Sequence, residues 1–232
     1  MPQLPDPLSR RDRQRQTREA LIFAARAVFS RDGYHRANLE VIAREAGFSK
    51  GAVYSNFENK AALFLAVQDT NMEAALAEAW DPFERVEEMP QAVPGGVSEE
   101  DLTAAMTGFA LATLEFIAVA ARDETLRAEM ASRMQRLLDA YTEVVRQQRV
   151  EGDPMSVEEL GALSAALDQG AGLLLLSGTG AVDARLLRAG VRRLIDPARA
   201  AESGSDDADV GPGMHDQEVR ARIAAELRDQ QS

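Results

Sequence analysis

Lys50, Gly51, Tyr54 and Ser55 lie within six residues and are the types that grip a polyanion. At ~100° per residue on a helix they share one broad arc, with Val53 opposite. A lysine there can neutralise a phosphate or reach guanine acceptors, and a phenol and a hydroxyl can bond phosphate oxygens. Gly51 lets a backbone come close. Lys60 opens the next helix, where unpaired N–H groups and its ammonium both favour a phosphate. Upstream, Arg10, Arg11, Arg13, Arg15 and Arg18 form a basic run. Other chemistries are poorly supplied. The chain has no cysteine, which excludes disulfides, thiolate metal sites and a cysteine nucleophile. Its two histidines, His35 and His215, are far apart and leave little for a metal. No histidine pairs with a near carboxylate, and no glycine-rich phosphate loop follows a strand. The expectation is a protein that is not an enzyme and has no cofactor or metal.

Charge distribution agrees with a binding role. The 232 residues carry a net charge of −12, but residues 1–70 hold 11 basic and 8 acidic side chains, against 15 and 30 in the remainder. A basic segment attached to an acidic body faces DNA with one end only. With 45% hydrophobic residues the chain can build a core, as one large domain or two small ones. The longest apolar stretch, 109–121, carries Glu115 and falls short of the ~20 residues a membrane span needs. The N-terminal residues lack an apolar signal-peptide core. A cytoplasmic protein with no membrane partner is expected.

The elements that position these residues read as helices throughout. Apolar spacing predicts a first helix from about Arg13 to Arg31, stopped by Gly33. Short helices follow at Leu39–Glu45, capped by Asn38, and at about Ser49–Asn56, with a turn at Gly47. Asn59 caps a longer helix to about Trp80. Asp81-Pro82 restarts a brief one, and residues 90–97 form a loop. Ser98, Asp123, Ser156 and Asp183 start helices ending near Ala121, Val150, Leu176 and Ile195; Ser98 with Asp101 and Ser156 with Glu159 read as capping boxes. Residues 201–213 read as a flexible linker, and 214–232 as a helical tail with one thin apolar stripe. The domain reading is a basic arm (1–12), a DNA-binding domain (13–62), a helical body (63–200), the linker and the tail.

Two short helices joined by a tight turn, with small Ala43 and Ala46 where they cross, form a helix-turn-helix. The second helix of that motif enters a DNA major groove. Arg18, Ala24-Ala25, Phe29, Gly33-Tyr34, Ile42-Ala43, Ala46-Gly47, Ser49-Lys50-Gly51, Val53-Tyr54, Phe57, Lys60 and Leu63 stand in this order. That set resembles the DNA-binding domain of the tetracycline-repressor (TetR) family of bacterial transcriptional regulators. The resemblance covers about fifty residues, 18–67; residues 163–195 more loosely resemble the last two family helices.

The resemblance implies an all-α homodimer with an N-terminal three-helix reader and a C-terminal ligand-binding and dimerisation domain. It would bind a near-palindromic double-stranded operator with half-sites ~34–36 Å apart. Carried over by position, the DNA contacts are Ser49, Lys50, Gly51, Ala52, Tyr54, Ser55, Asn56 and Lys60, with His35, Arg36 and Asn38 on phosphates. Ala37 stands where relatives often carry a hydroxyl, and Asn56 where histidine is common. The N-terminal arginines, as an arm, would reach the adjacent minor groove. Repression, with release by a mainly apolar small molecule, is the family expectation; the alternative is a constitutive regulator with no effector. Candidate pocket residues are Trp80, Phe83, Met106, Phe109, Thr113, Phe116, Met130, Met134 and Tyr141, with Leu102 and Leu137 on the same helix faces and Glu115 and Gln135 as polar anchors. Subunit pairing is expected through Leu160, Leu163, Leu167, Gly170, Leu174, Leu187 and Val191.

Overall fold

A computed structural model describes residues 9–76 and 98–198. These form eight helices: α1 (Arg10–Arg36), α2 (Leu39–Glu45), α3 (Lys50–Asn56), α4 (Lys60–Ala75), α5 (Glu99–Ala120), α6 (Glu124–Gln148), α7 (Val157–Leu176) and α8 (Ala184–Ile195). No strand occurs among the described residues. Trp80, Phe83, the helix expected after Asp81, the linker and the tail lie outside them.

The expected caps form. Asn38 accepts from Glu40 N, Asn59 from Ala62 N, Ser98 from Asp101 N, Asp123 from Leu126 N and Asp183 from Leu186 N. Ser156 and Glu159 close a full capping box. Each cap satisfies a donor that the first helical turn leaves unpaired. The first helix departs from expectation at both ends. Ser9 accepts from Asp12 N and starts α1 at Arg10, so the described arginines are helical and not an extended arm. At the other end Gly33 kinks the helix, with φ 75° and ψ 169°, and the chain resumes as far as Arg36.

Two compact units emerge. Among the described residues, one comprises 9–70 and 98–126, the other 71–76 and 127–198. In the first unit α5 lies on α1 at very short range. A Cβ built on Gly108 would stand 2.0 Å from the Ser30 carbonyl oxygen, so only glycine fits there. Around this crossing, Phe64 packs edge-on against Phe29 and Tyr34 and stacks on Phe109 and Phe116, with centroids 4.7–5.6 Å apart. Phe29, Phe64 and Phe116 are fully buried. Each such ring contributes roughly 1.5–3 kcal/mol by leaving water. The segment 100–120 is long and apolar enough to cross a membrane by length and composition. Leu102, Ala112, Phe116 and Ala120 are buried in this unit, while Leu111, Leu114 and Ile117 are exposed. The sequence placed α5 in the body; its contacts place it with the reader.

The second unit closes on Leu137, Tyr141, Val144 and Val145 of α6, Leu160 and Ala165 of α7, and Val191 and Ile195 of α8. A Cβ on Gly161 would meet Thr142 Oγ1 at 2.5 Å, so α6 and α7 cross closely. Tyr141 is hydrogen-bonded to Asp168, and burial, chiefly, pushes its phenol well above the usual range. Two expected pairing residues are corrected here. Leu160 and Val191 are 1% and 0% exposed within a single chain, so they are core and cannot meet a partner. The inner face of α7 carries Leu160, Ser164, Ala165, Asp168 and Ala171, whereas Leu163, Leu167 and Leu174 point elsewhere and are exposed.

Candidate nucleic-acid interface

The reader is built on α1–α4. Leu21, Ala25, Val28 and Phe29 of α1 form a floor, onto which Ile42 and Ala43 of α2 and Val53 of α3 are pressed, each 2% exposed or less. Between the short helices, Gly47 takes φ 76° with nothing within 4 Å of a built Cβ. Glycine is therefore demanded there by backbone conformation, not by space. Phe48 N then donates to Ala43 O at 2.8 Å and turns the chain into α3.

Val53 is the buried residue of α3, so the rest of that helix is presented outward. Lys50, Gly51, Tyr54 and Ser55 are exposed, Tyr54 at 53%. The arc expected from sequence is the arc that faces solvent. Lys50 forms an ion pair with Glu40 of α2 and stands 6.0 Å from the Tyr54 ring centroid. The hydrogen bond to Lys50 holds the Glu40 carboxyl below its usual range, and the carboxylate in turn raises the ammonium. Ser49 starts α3 in extended conformation without a side-chain cap hydrogen bond. A Cβ on Gly51 would meet Ser49 Oγ at 3.6 Å, an ordinary contact, so this position is open to an approaching backbone. Ala52 is half-buried beside it.

Other expected contacts are committed to the protein itself. Ser55 Oγ and Asn56 Nδ2 both donate to Ala52 O, at 2.9 and 2.8 Å. Asn38 spends its carbonyl oxygen on the α2 cap. His35 and Arg36 are exposed, with Arg36 Nε donating to Asp32 O at 3.0 Å. Lys60 departs most from expectation. Its ammonium donates to the carbonyls of Tyr34, His35 and Ala37 at 2.8, 3.0 and 3.2 Å and lies 4.8 Å from the Tyr34 ring centroid. An ammonium has three protons, and here all three have acceptors. Lys60 ties the end of α1 to the start of α4, and burial lowers its pKa.

Three supporting residues carried no periodic signal. Arg18 donates to Asn56 O at 2.9 Å and sits 4.2 Å above the Phe57 ring, pinning the end of α3 to α1. Arg31 bonds Asp32 and Glu45, each at 3.0 Å, and joins α1 to α2. Glu115, expected as a pocket anchor, accepts from the backbone N–H of His35 at 2.9 Å. The Arg18–Asn56, Arg31–Glu45 and Glu115–His35 pairs are 38, 14 and 80 residues apart in sequence, so spacing could not reveal them.

The two-helix turn with its outward lysine and tyrosine coincides with a known family. Residues 21–67 match the model of the bacterial regulatory proteins, tetR family. The reader therefore carries the DNA-binding domain of that family. The chain is 27% identical over 137 residues to the HTH-type transcriptional regulator UidR of Escherichia coli K12, spanning 59% of this chain and 68% of that protein. The same figures hold for UidR of Shigella flexneri. A crystal structure described as a TetR-family transcriptional regulator from Rhodococcus sp. shares the fold, with a TM-score of 0.56 and 20% identity over 79% of this chain and 98% of that one. A regulator from Pseudomonas aeruginosa PAO1 gives 0.53 and 21%, over 84% and 93%. The described residues are thus all helical, with a tetR-type helix-turn-helix reader of the kind that DNA-binding transcriptional regulators carry.

The described candidate pocket residues divide between the two units. Phe109 and Phe116 are in the ring cluster of the first, where Thr113 accepts from Gln68 at 2.8 Å and donates to Phe109 O. Met106 is half-buried in the same unit. Met130 and Tyr141 are buried in the second and Met134 is half-buried. Gln135 donates to Asp139 and lines an open groove of about 430 Å³ whose walls mix Glu143, Arg146 and Glu158 with Leu138, Thr142 and Ala162.

Proposed function

We propose that this chain represses transcription as a cytoplasmic homodimer on a near-palindromic operator and is released by a mainly apolar small molecule, without catalytic activity. One observation carries the DNA-binding part. The second helix of the turn is anchored by Val53 and presents Lys50 and Tyr54, the latter half-exposed, to solvent. On that exposed arc the Lys50 ammonium, the Tyr54 phenol and the Ser55 hydroxyl are types that bond phosphate oxygens and base edges. Lys50 must exchange Glu40 for DNA, so part of its attraction is offset by breaking that pair.

Pairing of subunits is supported by the outer face of α7. Leu163, Leu167 and Leu174 are 42–44% exposed, and Cβ atoms built on Gly170 and Gly172 meet nothing within 4 Å. An apolar stripe with bare backbone suits a second copy of the same helix. Leu187 of α8 is half-buried at the edge of the core.

Constitutive regulation is the second reading. It is favoured by Phe109 and Phe116, whose rings are packed on Phe64 and Tyr34 instead of lining a space.

Selection from random DNA followed by fluorescence anisotropy tests the reader. The expected result is a near-palindromic duplex bound with a steep salt slope, and loss of at least about tenfold in affinity when Lys50→Ala and Tyr54→Ala are combined. No enrichment, or an unaffected double variant, defeats the reading. Sedimentation should give a dimer that dissociates in a Leu167→Glu, Leu174→Glu variant. A screen of apolar compounds against the bound complex separates the two readings on the effector.

A further inference from the structure

We propose that Glu115 of α5 is a positioning residue for DNA binding: its carboxylate and the Lys60 ammonium clamp segment 33–37 from two sides and hold His35 and Arg36 for the phosphates. This rests on the DNA-binding reading above.

The geometry is specific. At Gly33 the backbone turns out of the helix with φ 75°, and a Cβ there would lie 2.8 Å from Glu115 Oε1 and 3.1 Å from Oε2. The backbone conformation demands the glycine, and the end of the Glu115 side chain fills the space beside it. Two residues on, His35 N donates to Glu115 Oε2 at 2.9 Å. The carbonyls of Tyr34, His35 and Ala37 turn to Lys60. The segment thus gives its N–H to an anion and its carbonyls to a cation, each partner supplied by a different helix. Asn38, next in the chain, caps α2. The clamp therefore sets where α2 begins, and through α2 where α3 lies.

Glu115 is a carboxylate within the apolar stretch of α5, and its charge also favours the Lys60 ammonium. Its neighbours at 111, 114 and 117 are exposed leucines and isoleucine, while Ala112 and Phe116 are buried. Because α5 bears on α1 backbone-to-backbone at Gly108 and Ser30, Glu115 cannot shift along α1 without α5 moving as a whole. A displacement of α5 that carries Glu115 pulls on the backbone N–H of His35.

The test compares full-length wild type, Glu115→Ala and Glu115→Gln. Each is titrated by anisotropy onto the duplex that the wild type selects, and backbone amide exchange is followed by mass spectrometry. Glutamine keeps an acceptor for His35 N; alanine does not. The expected result for Glu115→Ala is faster exchange confined to 33–38, with residues 21–29 as protected as before. Operator affinity should fall about tenfold, because a hydrogen bond to a charged acceptor is lost. Glutamine should restore both readouts, affinity to within about threefold. Unchanged exchange at 33–38 in the alanine variant overturns the clamp. Faster exchange with wild-type affinity overturns the link to DNA, and loss of protection throughout α1 overturns a positioning role. If the wild type selects no duplex, the DNA-binding reading fails, and the exchange measurement still decides the clamp.

Discussion

Lys60 distinguishes a phosphate grip from an internal lock, and Lys60→Met separates the two because methionine keeps most of the aliphatic stem. Two of its three acceptors, the carbonyls of Tyr34 and Ala37, are part-buried, while that of His35 is exposed. The exposed carbonyl rehydrates at little cost. Each part-buried one, left without a donor, costs on the order of 1 kcal/mol or slightly more. Loss of the cation 4.8 Å from the Tyr34 ring adds roughly 0.5–1 kcal/mol. Burial of the charged lysine, which lowers its pKa, returns part of this when the charge is removed. The expected net destabilisation is about 2 kcal/mol, or about 4–8 °C in Tm for a chain of this size. Urea unfolding gives the first number and a thermal melt the second. Operator affinity falls with the positioning of α2, but the slope of log K against log salt stays as in wild type. A phosphate contact predicts the opposite pattern: unchanged stability and a slope smaller by about one. That pattern would refute the lock.

Two further perturbations probe other parts of the fold. Gly108→Ala places a methyl 2.0 Å from the Ser30 carbonyl, a backbone atom that cannot step aside. It should cost about 3 kcal/mol, and an unchanged urea midpoint would show that α5 does not lie on α1 this closely. Glu159→Ala opens the α7 capping box, whose bond from Ser156 N at 2.7 Å holds the Glu159 carboxyl below its usual range. A folded value below the unfolded one gives stability that is present above the ordinary carboxylate range and lost as pH falls through the folded value. Thermal melts should show wild type above the variant at pH 7 and the gap closing below about pH 4; a gap that persists at pH 2 would contradict the assignment.

Helix positions, caps and the reader's outward arc were all legible in the residues. These are local properties: an Asn or Ser can cap a helix wherever its first N–H groups are unpaired, and Lys50, Tyr54 and Val53 are separated by fixed angles once α3 exists. Even Gly33 and Gly47 announced their turns. The start of α1 was misplaced because a run of arginines reads as a solvated arm, whereas Ser9 with Asp12 makes a cap that gathers the run into the helix. On α7, apolar spacing put Leu160 on the same stripe as Leu163 and Leu167, but periodicity gives a direction and not what stands in it. Tertiary packing decided that Leu160 is core and the other two are exposed.

Tertiary structure alone assigned the charged residues. Lys60 was read as a phosphate ligand because a lysine at a helix start is one in isolation, and only the return of the α1 carbonyls shows its three protons occupied. Glu115 was read with its apolar neighbours as part of a pocket, and only the crossing of α5 over α1 brings it to Gly33 and His35. The sequence by itself determined the elements, the turn and the face that α3 offers, since these depend on neighbours within about one helical turn. Which charges stay exposed and which hold the protein together depended on backbone atoms tens of residues away, and those come into reach only when the helices pack.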